Sequence, residues 1–239
     1  MSSTLLKPPS SDAVESADSL MKGRFSCRYY EKKPVPKSVM LEILDAARHA
    51  PSSGNLQIWH KVYCITGTAL EAFRDEAEAA FANDPDSMVA EYPAYPDKFP
   101  GEYEARHHDF AKIYYGALGI ERSEVKERAK DVINHLRFHG APVGLVFTVD
   151  RGFAQSAWLD LGFFMQSVII AARARGLETV VEVQMSCPHV LLRKHLPIGE
   201  NEIVVLGMAI GYPDMEKVQQ RYVAPTKRRL EDIVQFHGY

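Results

Sequence analysis

Apolar residues at Val39, Ile43, Ala46, Ala47 and Ala50 recur at helical spacing and predict an amphipathic helix over residues 39–50, with Ser38 placed to cap it and Pro51 to stop it. Residues 60–66 (HKVYCIT) read as a strand ending at a turn on Gly67, and a helix is expected over residues 69–81. Residues 83–101 hold Pro85, Pro93, Pro96 and Pro100 among Tyr92, Tyr95 and Phe99, a composition that opposes regular structure and is too long for a plain connector. Residues 102–139 are mainly helical in pattern, with a break near Gly116 and Gly119. The apolar run 143–149 (VGLVFTV) predicts a buried strand.

Residues 154–176 predict a helix about 30 Å long, apolar on most of its circumference and closed by Gly176. Such a helix belongs in a large core or at a subunit interface. Residues 179–183 and 202–210 read as strands around a short helix at 188–195, after which Gly211-Tyr212-Pro213-Asp214 turns the chain into a tail. Strand and helix signals alternate, which points to an α/β or α+β layered fold. Residues 1–19 are expected to form a flexible arm ahead of one domain over residues 20–239, with 83–101 as an insertion.

Composition narrows the function classes. With 28 Lys+Arg against 31 Asp+Glu the formal charge is −3, so no global basic field exists to hold nucleic acid or an anionic membrane, and any anion must be gripped locally. Gln155, Asp160, Gln166 and Arg173 interrupt the longest apolar stretch, which favours a buried helix of a soluble protein over a membrane span. Cys27, Cys64 and Cys187 are odd in number and far apart, which suits a reducing, cytoplasmic setting better than a disulfide framework.

Three segments could carry chemistry. In Arg24-Phe25-Ser26-Cys27-Arg28 two guanidinium groups flank a hydroxyl, a set able to grip a phosphate or an electron-rich ring edge, or else an exposed charged helix end. Ala50-Pro51-Ser52-Ser53-Gly54-Asn55-Leu56-Gln57-Ile58-Trp59 sets small and amide side chains where a flat polar ligand can approach, or makes only a turn. Thr226-Lys227-Arg228-Arg229, preceded by Arg221, is a basic tail that is a solvated surface unless something anionic lies beside it. His135 and His139 lie four apart, and His107-His108-Asp109 are contiguous, but neither makes a His-Glu-x-x-His zinc motif, and no metal site is expected. There is no Gly-x-Gly-x-x-Gly turn, no phosphate-binding Gly-Lys-Ser/Thr loop and no Gly-x-Ser-x-Gly elbow.

In order and spacing these pieces resemble the FMN-dependent nitroreductase family. The resemblance rests on Arg24-x-Ser26-x-Arg28, Ala50-Pro51-Ser52-Ser53-x-Asn55-x-Gln57-x-Trp59, Ala141-Pro142 before a strand, Gly176-Leu177 after the long helix, Gly207-x-x-x-Gly211-Tyr212-Pro213 and the basic tail. Tyr92-Pro93, Tyr95-Pro96 and Tyr115-Gly116-x-Leu118-Gly119-Ile120 are most similar to the branch that includes nitrobenzoate reductases.

The resemblance implies a mixed sheet flanked by helices in an intertwined homodimer, with FMN at the interface, NAD(P)H as reductant and a small aromatic acceptor, turned over by a ping-pong sequence. By that analogy Arg24, Phe25, Ser26, Lys227 and Arg229 surround the ribityl phosphate, while Arg28 and Arg137 reach the pyrimidine edge of the ring. Pro51, Ser52, Ser53, Asn55 and Gln57 come from the partner subunit, Val181 and Glu182 pass along the flavin, and Glu182, Val183 and Gln184 neighbour N5. No side chain is expected to act as a nucleophile, because the flavin carries the chemistry. Tyr92, Tyr95 and Phe99 are expected to cover the acceptor. The same fold could serve a quinone, enone, halogenated phenol or flavin as acceptor, or merely store flavin.

Overall fold

The computed structural model describes residues 10–59 and 61–239. The first nine residues of the expected arm, and His60 at the expected start of the first strand, lie outside them.

Four strands, β1 (Val62–Thr66), β2 (Val143–Asp150), β3 (Glu178–Glu182) and β4 (Glu202–Gly211), form one sheet in the order β1-β2-β4-β3. Every ladder is antiparallel. The mixed character expected of the sheet reduces, among the described residues, to one isolated parallel bridge, Ser26 to Thr179.

The alternation of side chains along β2 divides the core in two. Val143, Leu145, Phe147 and Val149 face a cluster with Met40, Ile43, Leu161, Phe164 and Val168, supplied by helices α2 (Lys37–Ala47) and α6 (Ser156–Arg173). Val146 on the opposite face joins Leu70, Phe73, Leu136, Phe138, Met185 and Leu192. These come from α3 (Gly67–Asn83), α5 (Val125–Leu136), α7 (His189–His195) and the turns next to them. Helices therefore cover both sheet faces, as the alternating pattern predicts.

Gly207 in β4 explains one motif glycine: a Cβ there would lie 2.7 Å from Met185 Cγ and 2.9 Å from the Phe138 ring. Phe138 occupies the space these glycines leave, and a Cβ on the neighbouring Gly144 of β2 would also meet its ring at 2.9 Å. That seat holds a tight turn in which Phe138 (φ 49°) and His139 (φ 50°) both adopt the left-handed conformation. Non-glycine residues enter it at a cost of about 1–3 kcal/mol each.

Three expectations change. Residues 11–23 are the helix α1 (Ser11–Gly23), not a loose arm; it is regular but buries no side chain. The tail beyond Asp214 begins with a further helix, α8 (Met215–Arg221), whose N-cap Asp214 accepts a hydrogen bond from Lys217 N. The long helix starts at Ser156 rather than 154 and ends at Arg173; Gly176 (φ 74°) then reverses the chain while Leu177 N donates to Ala172 O.

On α6 the buried face is Ala157, Leu161, Phe164 and Val168, yet Leu159 and Phe163 on the opposite side are 67% and 52% exposed. An apolar helix thus keeps an apolar stripe uncovered within the single chain. No helix of the described residues is long and apolar enough to cross a membrane.

Candidate active site

Residues 24–30 run extended across the sheet end. Cys27 N donates to Thr179 O (3.0 Å), Glu31 N to Tyr212 O (2.9 Å) and Asp214 N to Tyr29 O (3.0 Å), so the segment is tied to β3 and to the turn after β4. Cys27 is wholly buried, and burial pushes its thiol up to about 12, which disfavours the nucleophilic thiolate. Arg24, Ser26 and Arg28, alternating along the extended chain, line a cavity of 340 Å³ together with Phe25.

The rest of that cavity comes from α4 (Glu102–Leu118), through Phe110 and Tyr114, and from α8 and the tail, through Val218, Arg221, Tyr222 and Lys227. Phe25 packs on Tyr222 at 5.2 Å between ring centres. Lys22, Arg24, Arg28, Arg221 and Lys227 give the lining five basic side chains and no carboxylate. Among the described residues only Lys22 of these is in an ion pair, with Asp18. The Nε of Arg28 is buried with no hydrogen-bond partner. Positive charge held without a counter-charge in a recess fits an anionic ligand. Sequence reasoning supplied Arg24, Phe25, Ser26, Arg28 and Lys227; it missed the α4 wall, because Phe110 and Tyr114 carry no motif of their own.

Beside Arg28 lies a chain of polar contacts that the sequence did not reveal. The Arg28 guanidinium stands 4.6 Å from the Tyr114 ring centre, and the Tyr114 hydroxyl donates to Asp131 (2.9 Å). Asp131 is 3.5 Å from His135 Nε2, His135 Nδ1 is 2.6 Å from Glu182, and His139 Nε2 is 2.8 Å from the other Glu182 oxygen. Burial opposes ionisation of Glu182, but the two imidazoles outweigh it and hold the acid down to about 2. Burial also opposes charging His135, yet Asp131 and Glu182 lift it to about 9, whereas burial lowers His139. The donor atoms of His135, His139 and Glu182 lie within 4.8 Å of one another. The 2.6 and 2.8 Å separations are those of hydrogen bonds, so the cluster is self-satisfied. The four-residue spacing of His135 and His139 was visible in the sequence, but the helix expected to carry both ends at Leu136, and His139 sits in the left-handed turn; their partner Glu182 was not visible.

This placement corrects one expectation for Glu182. Its side chain is 4% exposed and committed to two histidines, so its carboxylate is not free to meet a flavin. Val181 and Val183 are half-buried and Gln184 is exposed; of the expected N5 neighbours, Val183 and Gln184 are the accessible ones. Arg137 also departs from expectation. It points to α3, pairing with Glu78 (2.8 Å), Asp75 (3.2 Å) and Glu71 (3.7 Å), and lines no part of the cavity that Arg28 lines. Its position in the chain, next to the reversed turn at Phe138, sends it there. Arg229 pairs with Asp232 (3.4 Å) and lines no part of the cavity of Arg24 and Ser26.

The loop of Pro51, Ser52, Ser53, Asn55 and Gln57 lines no part of this cavity. It is nevertheless well held: Ser53 N donates to Asp160 of α6 (3.0 Å), Gln57 N to Ser52 Oγ (3.0 Å) and Gln57 Nε2 to Asn55 Oδ1 (3.3 Å). Asn55 and Gln57 both have positive φ, 57° and 49°. A strained, exposed loop fixed to the helix with the uncovered apolar stripe is oriented outward, not toward its own chain's cavity.

The proline-rich segment splits into two parts. Tyr92 is anchored, its hydroxyl donating to Val205 O and its ring edge-on to Trp158 at 4.7 Å. Tyr95, Phe99 and His107 form a ring series at 5.9 and 4.9 Å that ends on α4. Tyr92 is therefore packing, while Tyr95 is 58% exposed and Phe99 is half-buried.

The chain belongs to the nitroreductase family, whose family model matches residues 21–212. Among curated proteins it is 36% identical over 219 residues to the nitrobenzene nitroreductase of Ectopseudomonas oleovorans, covering 92% of this chain and 96% of that one. It is 32% identical to the 4-nitrobenzoate reductase of Pseudomonas putida, over 93% of this chain and 96% of that one. Among solved structures, the FMN-dependent nitroreductase NfnB of Mycobacterium smegmatis in complex with NADPH superposes with a TM-score of 0.88 at 27% identity, covering 95% of this chain and all of that one.

Proposed function

We propose that this protein is an FMN-dependent NAD(P)H oxidoreductase that reduces nitroaromatic compounds to nitroso and hydroxylamino products, acting as a cytoplasmic homodimer. The observation that carries the reading is the acid-free recess in which Arg24, Ser26, Arg28 and Lys227 converge. The relatives support it: nitrobenzene and 4-nitrobenzoate reductases in sequence, and an FMN-dependent enzyme in complex with NADPH in structure.

FMN, when bound, supplies the two-electron chemistry, accepting a hydride from the nicotinamide and delivering it to the acceptor. Arg24, Ser26 and Lys227 would hold the phosphate by charge-assisted hydrogen bonds. Arg28, with its Nε unpartnered, would set a fixed positive charge where reduction places negative charge, and a charge already in position needs no reorganisation during the reaction. Arg137, spent on α3, would not share that role. The loop from Pro51 to Gln57 would complete the site of a second copy, brought there by the α6 stripe of Leu159 and Phe163. With one flavin to serve both reactants, reductant and acceptor would alternate.

The test is binding and turnover on the purified protein. The reading expects one FMN per chain and NADPH- or NADH-dependent loss of nitrobenzene. A colourless protein that takes up no added FMN would overturn it.

A further inference from the structure

Tyr114 and Tyr115 are consecutive on α4, and each carries an arginine against its ring. Arg28 lies 4.6 Å from the Tyr114 centre, and Arg128 of α5 lies 4.2 Å from the Tyr115 centre. Both arginines line a second, larger chamber of 810 Å³, separated from the first by Arg28, Phe110 and Tyr114, which belong to both. In each arginine the Nε is buried and has no hydrogen-bond partner among the described residues. Neither guanidinium is in an ion pair among the described residues.

The surroundings do not neutralise these charges. Lys112 and Arg122 add to the lining, and Glu121, its one carboxylate, is exposed. Asp131, the carboxylate below, already accepts from Tyr114 and faces His135, while Glu182 is held by His135 and His139. A partly desolvated guanidinium without a counter-charge is costly unless a ligand brings one.

We propose that Arg128 is an oxyanion clamp that selects nitroaromatic acceptors bearing a carboxylate. The proposal rests on the nitroaromatic reading above and assigns Arg128 a role in specificity. A planar carboxylate matches the guanidinium fork, and the ring beyond it meets His107, Phe110 and Tyr115. A phosphate, such as the 2′-phosphate of NADPH, offers the same oxyanion chemistry from the other reactant. The denser donor set for a tetrahedral group lies in the smaller recess, which favours the carboxylate here.

The experiment compares the flavin-loaded wild type with Arg128→Gln and Arg128→Lys. Loss of one charge-assisted contact lowers the ratio of kcat/KM on 4-nitrobenzoate to that on nitrobenzene by about tenfold in Arg128→Gln, through KM, and Arg128→Lys restores part of it. Calorimetry with benzoate, read against benzamide, must show the same loss of affinity without turnover. A ratio and a benzoate affinity that both stay within about twofold of wild type would overturn the clamp. A change in the NADPH-to-NADH preference with benzoate binding intact would overturn it in favour of the reductant's phosphate. A wild type that reduces neither nitroarene yet binds benzoate through Arg128 would sink the functional reading and leave the clamp standing.

Discussion

His135 Nδ1 lies 2.6 Å from Glu182 Oε2, and that contact joins α5 to the end of β3. The pair is charged at neutral pH. Burial disfavours the imidazolium, but Asp131 and Glu182 raise it from 6.5 to about 9. A raised folded-state value means that its stabilisation is complete below 6.5 and is lost as pH rises through about 9. Glu182 is lowered, so its contribution is present above 4.5 and is lost as pH falls through about 2. Urea midpoints should therefore decline from pH 6.5 to 9, and Asp131→Asn should flatten that decline. An equal decline in the variant would show that another group causes it.

Arg24→Ala and Lys227→Ala should each weaken FMN retention by about tenfold or more, since a hydrogen bond to a charged group contributes about 1.5–3 kcal/mol. Arg137→Ala should instead cost at most about 1 kcal/mol of stability, as its partners Glu78 and Asp75 are well exposed. Equilibrium dialysis of flavin against the three variants separates the roles. Weak FMN binding in Arg137→Ala alone would restore the ring-edge assignment.

Leu159→Glu with Phe163→Glu places two charges on the exposed stripe of α6. If that stripe is covered by a second copy, sedimentation should find a monomer, and flavin should leave with the partner's loop. An unchanged dimer would move the interface elsewhere.

Tyr92→Phe should cost about 1 kcal/mol of stability by removing the bond to Val205 O. Tyr95→Ala with Phe99→Ala should instead lower kcat/KM for nitroarenes by about tenfold, since a well-placed ring pair contributes about 0.5–1.5 kcal/mol. Reduction by NAD(P)H should change less. Steady-state rates and urea denaturation on both variants decide, and equal losses in both half-reactions would make the segment a structural insertion.

What could be read from the sequence follows how local each signal is. The helices and strands repeat every few residues, and the motif glycine Gly207 marks the close approach of Phe138 and Met185. Arg24, Ser26 and Arg28 were legible because an extended chain places alternate residues together. Arg137 was misplaced because its direction depends on two left-handed residues, Phe138 and His139, to which L side chains give no sequence signal. The union of Glu182 with His135 and His139 was hidden for a similar reason: it joins groups 47 and 43 residues apart across a sheet edge. The helix Met215–Arg221 was missed because its one apolar anchor, Val218, is too sparse to show a period.

The most direct measurement is an anaerobic titration of the purified protein followed by visible absorption. NADPH should bleach a bound flavin stoichiometrically, and nitrobenzene added afterwards should restore the colour as the nitro group is reduced. A flavin that NADPH and NADH leave oxidised, or a reduced flavin that nitrobenzene and 4-nitrobenzoate do not reoxidise, would contradict the proposed activity.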